Sequence, residues 1–187
     1  DRLFPIKWFS DDEFYIYTDY FKSNKSAKKK LIQIADDFLN NEVWVYNKKV
    51  NLYEYKVSNV KEKQKNTEVF HKDLRFYWEI YRDRFVYNIC LAYKITGEEA
   101  YAKKLLHYIK DWKTFSPIES DHIPYNGMEC AIKVMNLSWM TFFLDDLLEK
   151  DEEAKNALNS CIFRHASYIY KHYDITLYGL ESNHGLS

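Results

Sequence analysis

The chain has 187 residues, a formal net charge of -1 and 47% hydrophobic content. That length suffices for one domain with a real core, and that apolar fraction excludes a disordered chain. A near-zero net charge excludes nucleic-acid binding driven by bulk charge, although a local basic groove stays compatible with it.

Aromatic content is 18%, from 17 Tyr, 12 Phe and 5 Trp. The surplus fits an aromatic core, the commoner use of any single ring, or a cleft with stacking platforms for the apolar face of a pyranose. Cys90, Cys130 and Cys161 form no CxxC pair and sit in helical patterns, so they read as buried thiols and not as a disulfide framework or a metal site. Only 4 Gly and 3 Pro occur, which suits long helices with few tight turns. No run is apolar enough to span a membrane, and no signal peptide stands at Asp1. No cofactor motif is found.

Taken in order, Asp1 to about residue 25 reads as an irregular aromatic arm with a short helix around Asp11–Phe21. Ser26 is placed to cap a helix over Ala27–Asn40, with Leu31, Ile34, Ala35, Phe38 and Leu39 as its apolar stripe. Lys28-Lys29-Lys30 reads as a solvated first turn. Val43–Val57 alternates loosely, and Asn47-Lys48-Lys49 could turn a small hairpin. Ser58–Lys72 is polar enough to be a surface connection.

Leu74, Trp78, Tyr81, Phe85, Ile89 and Ala92 recur at steps of three and four, which predicts one helix ending at Gly97. A second helix carries Tyr101, Leu105, Tyr108, Ile109 and Trp112, and the short Thr96-Gly97 link makes the two antiparallel neighbours. Ser116-Pro117 ends the pair, and Ile118–Tyr125 reads as a loop. Asn126-Gly127 opens a helix whose apolar face is Met128, Ile132, Met135, Trp139 and Phe142. Asp151 caps the last helix, with Ala154, Leu158, Cys161, His165, Tyr168 and His172 on one face. His165 and His172 read as half-buried packing residues, since further zinc ligands cannot be placed. The sum is an all-α chain of antiparallel hairpins, without the strict repeat of a regular solenoid.

The closing stretch, Gly179 to Ser187, holds the sharpest chemistry. Ser182 can cap a new helix, which puts Asn183 and His184 in a first turn with free N–H groups and the positive end of the dipole. Such a tip suits a carboxylate and favours the neutral imidazole, the form that accepts a proton. An amide donor beside a neutral base is what proton abstraction next to an acid group requires. An ordinary polar turn with a bystander His is the simpler reading of these residues alone.

Three blocks carry a resemblance. Phe76-Tyr77-Trp78-Glu79-Ile80-Tyr81-Arg82, followed by Thr96-Gly97-Glu98-Glu99-Ala100-Tyr101-Ala102, is similar to a WE-x-x-R helix and its T-G-D-E-x-Y-A turn. Asn126-Gly127-Met128-Glu129-Cys130-Ala131-Ile132-Lys133, running on to Asn136 and Trp139, is similar to G-M-E-x-A-I-R-x-x-N-W. Ser182-Asn183-His184 is similar to the N-H pair opening a later helix. In this order they resemble the helical domain of the heparinase II/III-like polysaccharide lyases, from about Asp73 onward. Lys133 stands where that family has Arg, which turns a bidentate grip on an acid group into a point charge. Gly185 stands where an apolar residue is common.

The resemblance implies that residues 1–187 form the N-terminal part of an incomplete α/α toroid, followed in family members by a β-sandwich domain. It implies β-elimination on a uronic-acid-containing polysaccharide. Apart from the resemblance, no metal or other cofactor and no membrane span are expected. Asn183 matches the residue that holds the uronate carboxylate, and His184 its neighbour, a base or a carboxylate partner. Arg82, Asn126, Glu129 and Lys133 are candidate cleft residues. Each has a structural counterpart: Glu129 and Lys133 could pair at i, i+4, and Arg82 could pair with Glu79. The family's catalytic Tyr and second His come later than Ser187, so this stretch alone is expected to lack lyase activity. Export to the periplasm or outside the cell is implied by the resemblance only. A non-catalytic carbohydrate-binding or cell-surface polymer-processing module, and a helical scaffold for protein partners, are the alternatives.

Overall fold

A computed structural model describes residues 14–59, 74–119 and 127–177, and these are mostly helical. Helix α1 (Tyr15–Ser23) and helix α2 (Lys25–Leu39) meet at Asn24. Its backbone N–H closes α1 on the Tyr20 carbonyl at 2.8 Å, and its side chain accepts from the Ala27 amide at 3.0 Å. The cap of α2 is therefore Asn24 and not Ser26, which lies inside the first turn. Leu31, Ala35 and Phe38 bury the expected stripe, and Asp37 is buried with them.

Strands β1 (Glu42–Val45) and β2 (Lys48–Asn51) pair antiparallel, with Val43 opposite Val50 and Val45 opposite Lys48. The turn is Tyr46-Asn47, one residue earlier than the sequence suggests. Both have positive φ, 47° and 63°, which matches the twist of a two-residue hairpin. Val43 and Val45 face the core, and Trp44 between them faces out. A 3-10 turn, Leu52–Tyr55, follows and is capped by the Asn51 side chain. Most of the Ser58–Lys72 connection lies outside the described residues.

The helix expected from Leu74 to Gly97 is two helices, α3 (Leu74–Tyr81) and α4 (Phe85–Thr96). Asp83 breaks them, with φ at +56°. Periodicity survives because Tyr81 and Phe85 are both buried, one on each side of the break. Gly97 ends α4 in the left-handed region, φ 74°, and its N–H reaches the Tyr93 carbonyl at 2.7 Å. Helix α5 (Glu99–Lys110) follows at once and packs on α4 as the hairpin that the short link predicts.

Two 3-10 turns, Trp112–Phe115 and Pro117–Glu119, lead to residues outside the described set. Helix α6 (Gly127–Phe143), the short α7 (Asp145–Leu148) and α8 (Glu152–Leu177) complete the described chain. Asp151 caps α8 as expected, accepting from the Ala154 amide at 3.0 Å. Helix α4 sits at the centre, in contact with α2, α5 and α6, and buries residues on every side. Helix α8 closes over α6 and α5. Cys90, Cys130 and Cys161 are all buried free thiols, and burial pushes the Cys130 thiol up to about 12.

Helix α6 turns its face contrary to expectation. Its buried residues are Glu129, Cys130, Lys133, Asn136, Leu137, Met140 and Phe143, while Met135 is exposed. Three polar residues at helical spacing thus point inward. Burial of such groups is tolerated only where partners meet them, and those partners lie on the α3–α4 break.

Candidate functional site

The break between α3 and α4 presents the Tyr81 carbonyl, Arg82 and Asp83 to the inward face of α6. Arg82 reaches Glu129 through two parallel contacts, Nε to Oε2 at 2.5 Å and Nη2 to Oε1 at 2.8 Å. This fork is the strong form of an arginine–carboxylate pair. The remaining Nη1 donates to Glu79 Oε1. Glu79 in turn holds Arg84 Nε at 3.2 Å through its other oxygen. Glu129 above all, with Glu79 adding to it, holds the Arg82 guanidinium above its ordinary range, while burial pulls the other way. Asn136 Nδ2 donates to the Arg82 carbonyl at 2.8 Å and fixes its backbone.

Lys133 lies one turn along α6 from Glu129, yet the two do not pair. Its ammonium donates to the Tyr81 carbonyl at 3.1 Å and lies 2.5 Å from Asp83 Oδ2, as an ion pair outside hydrogen-bond geometry. Both side chains are 1% exposed. Asp83 Oδ1 accepts from the Tyr108 hydroxyl at 2.7 Å. Burial lifts the Asp83 carboxyl above the usual range, and Lys133 and Tyr108 pull against that rise. The i, i+4 pairing of Glu129 with Lys133 expected from spacing is replaced by two cross-helix pairs, because the inward face of α6 meets one cation and one anion on the break.

A second buried polar contact lies nearby. His165 is fully buried, not half-buried, and pairs with Ser116 at 3.1 Å through Nε2. Its Nδ1 lies 2.7 Å from the Cys161 carbonyl. A carbonyl only accepts, so Nδ1 carries the proton and the Ser116 hydroxyl donates to Nε2. Burial, and then the charge of Lys133, lowers the imidazole from 6.5 to about 3. His165 is thus held neutral. His172, on the same helix, is exposed.

Of the sequence candidates, Arg82, Glu129 and Lys133 converge on this cluster, while Asn126, Asn183 and His184 lie outside the described residues. Glu129 is 0% exposed and Lys133 1%, and Arg82 keeps a partly exposed edge. Sequence reasoning passed over Asp83, Tyr108, Asn136 and Ser116 as cluster members. Among the described residues, no group of His, Cys, Asp and Glu is arranged to hold a metal ion, and no helix is long and apolar enough to cross a membrane. Comparison with protein-family models, with curated proteins and with solved structures finds no match for this chain.

Proposed function

We propose that this chain is the N-terminal helical part of a heparinase II/III-like polysaccharide lyase, an incomplete α/α toroid acting by β-elimination on a uronic-acid-containing polysaccharide. What supports the reading is the meeting of its sequence blocks. The WE-x-x-R block and the G-M-E block carry the resemblance only together and in order with the Ser182-Asn183-His184 block. Arg82 of the first and Glu129 of the second, 47 positions apart, join through a forked ion pair. Asn136, further along the second block, holds the Arg82 carbonyl. A shared internal lock is what two motifs of one fold would form.

In this reading the cluster is scaffold first. Its charges are largely met inside the molecule, so it fixes α3 and α6 and leaves the partly exposed edge of Arg82 for substrate. The acid group is met by Asn183, whose amide donates to the uronate carboxylate as the neighbouring C–H bond breaks. A well-aimed donor of this kind contributes about 3–4 kcal/mol to the transition state. His184, as base or carboxylate partner, supplies roughly a hundred- to ten-thousand-fold. No proton passes through the buried His165.

The test is product formation on heparan-type, alginate-type and other uronate polymers, by the full-length protein that contains this chain. Unsaturated uronates, read by ultraviolet absorbance, are expected from the wild type and reduced about a hundredfold or more by His184→Ala and by Asn183→Ala. Absence of such products on every uronate polymer overturns the lyase reading. Polymer binding that persists without products leaves the non-catalytic carbohydrate module in its place.

A further inference from the structure

The β1–β2 hairpin carries a surface that the buried cluster does not use. Trp44 and Tyr46 leave 46% and 61% of their surface open. Exposed rings are common one at a time, but these two are held in place. The Trp44 indole donates from Nε1 to Asp37 Oδ2 at 2.7 Å. Asp37 is itself buried, and its other oxygen accepts from Lys49 at 2.8 Å and from Gln33 at 3.0 Å. Lys49 stands opposite Trp44 in the ladder, with its ammonium over the indole at 5.7 Å from the centroid.

Tyr46 is held differently. Its backbone sits at φ +47°, a region that a bulky side chain rarely enters. Its ring lies 6.4 Å from Phe76, in a row that runs on through Tyr55 to Tyr77 at 5.8 and 5.7 Å. Phe76 stands on α3, the helix that carries Glu79 and leads into Arg82, so the hairpin tip packs against the element that bears the candidate site.

A fixed, open ring edged by hydrogen-bonding groups suits one ligand class in particular. A pyranose shows C–H groups on its face, which pack on an aromatic ring, and hydroxyls around its rim. Lys49, opposite Trp44 in the ladder, and Glu42, its ion-pair partner, supply a donor and an acceptor beside the indole. Charge selects against the other common user of stacking platforms. Lys49 and Arg84 are opposed by Asp37, Glu42 and Glu79, so the surface lacks the cationic surplus that tracks a phosphate backbone. Two rings interleaved with charged residues also fall short of the contiguous apolar area that a stable protein interface buries.

We propose that Trp44 and Tyr46 form a stacking platform for a pyranose unit of a polysaccharide, beside the helix that leads into Arg82. The proposal rests on the polysaccharide reading above but not on its chemistry. Affinity electrophoresis of the full chain through gels containing alginate, heparan sulfate or a neutral β-glucan tests it, with poly-dT as the nucleic-acid control. Retardation by at least one polysaccharide is expected, weakened about tenfold by Tyr46→Ala, the scale of one stacking contact. Tyr46→Phe keeps the ring and restores it, and Trp44→Ala weakens it in the same way as Tyr46→Ala. Circular dichroism of each variant is expected to match the wild type. Binding that ignores both ring deletions, wild-type binding to no polysaccharide, or a stronger hold on poly-dT each overturns the platform. Failure of the lyase reading looks different: ring-dependent binding would persist with no unsaturated product.

Discussion

Asp83 with Lys133 and Asp37 with Lys49 are the same chemical pair in two surroundings. The first lies between α4 and α6 with both side chains 1% exposed. The second lies under the hairpin, where Asp37 is buried but Lys49 is 36% exposed. In the buried pair neither charge has water to fall back on, so each is costly without the other. In the hairpin pair water can replace the lysine, and the carboxylate serves mainly to orient Trp44 and Lys49. Burial thus decides whether one ion pair acts as a structural requirement or as an alignment device.

The largest expected effect tests the first half of that contrast. Lys133→Met leaves Asp83 buried without a cation and is expected to lower unfolding stability by about 3–5 kcal/mol in urea titration. Adding Asp83→Asn should recover much of the loss, because the second change removes the stranded charge. Additive losses would mean that the pair is uncoupled and the comparison false.

His165 sharpens the same point through pH. Its folded value, about 3, lies below its ordinary 6.5, so the unfolded chain takes up a proton that the folded chain refuses. Stability from this group is therefore complete above about pH 6.5 and is lost as pH falls toward 3, by about 1.4 kcal/mol per unit. Between pH 6.5 and 5, before most carboxylates titrate, His165→Gln should flatten the stability–pH curve by that slope. An unchanged slope would show that the imidazole is not buried.

The smallest effect belongs to the hairpin. Burial raises the Asp37 carboxyl, but Lys49, Trp44 and Gln33 together bring it below the usual range. Asp37→Asn should cost only about 1–2 kcal/mol, since the indole keeps an acceptor. It should also loosen Trp44, read as lower fluorescence anisotropy. Salt should weaken this pair and leave Asp83–Lys133 nearly untouched.

Much of the helical layout was legible because apolar spacing and caps are local signals. Gly97 and Asp151 end and begin helices where the residue types say they should. The site was legible only as a set of names. Arg82, Glu129 and Lys133 stood out, but their partners did not, because Arg82 and Glu129 are 47 positions apart and the Lys133 ammonium meets a carbonyl 52 positions away. The same distance hid the orientation of α6, where spacing favours burying Met135 over Lys133 until the break between α3 and α4 is in view. His165 looked half-buried for a like reason: Ser116, 49 positions away, is what lets it sink.

The kink at Asp83 has a consequence for which residues the position can accept. Its backbone lies at φ +56° and its carboxylate faces Lys133. Glycine would relax the main chain yet abandon the ammonium; asparagine would suit the main chain yet offer no formal charge; glutamate would keep the charge but fit the left-handed geometry poorly. Position 83 is screened twice over, once by conformation and once by electrostatics, and aspartate is the side chain that passes both screens most easily.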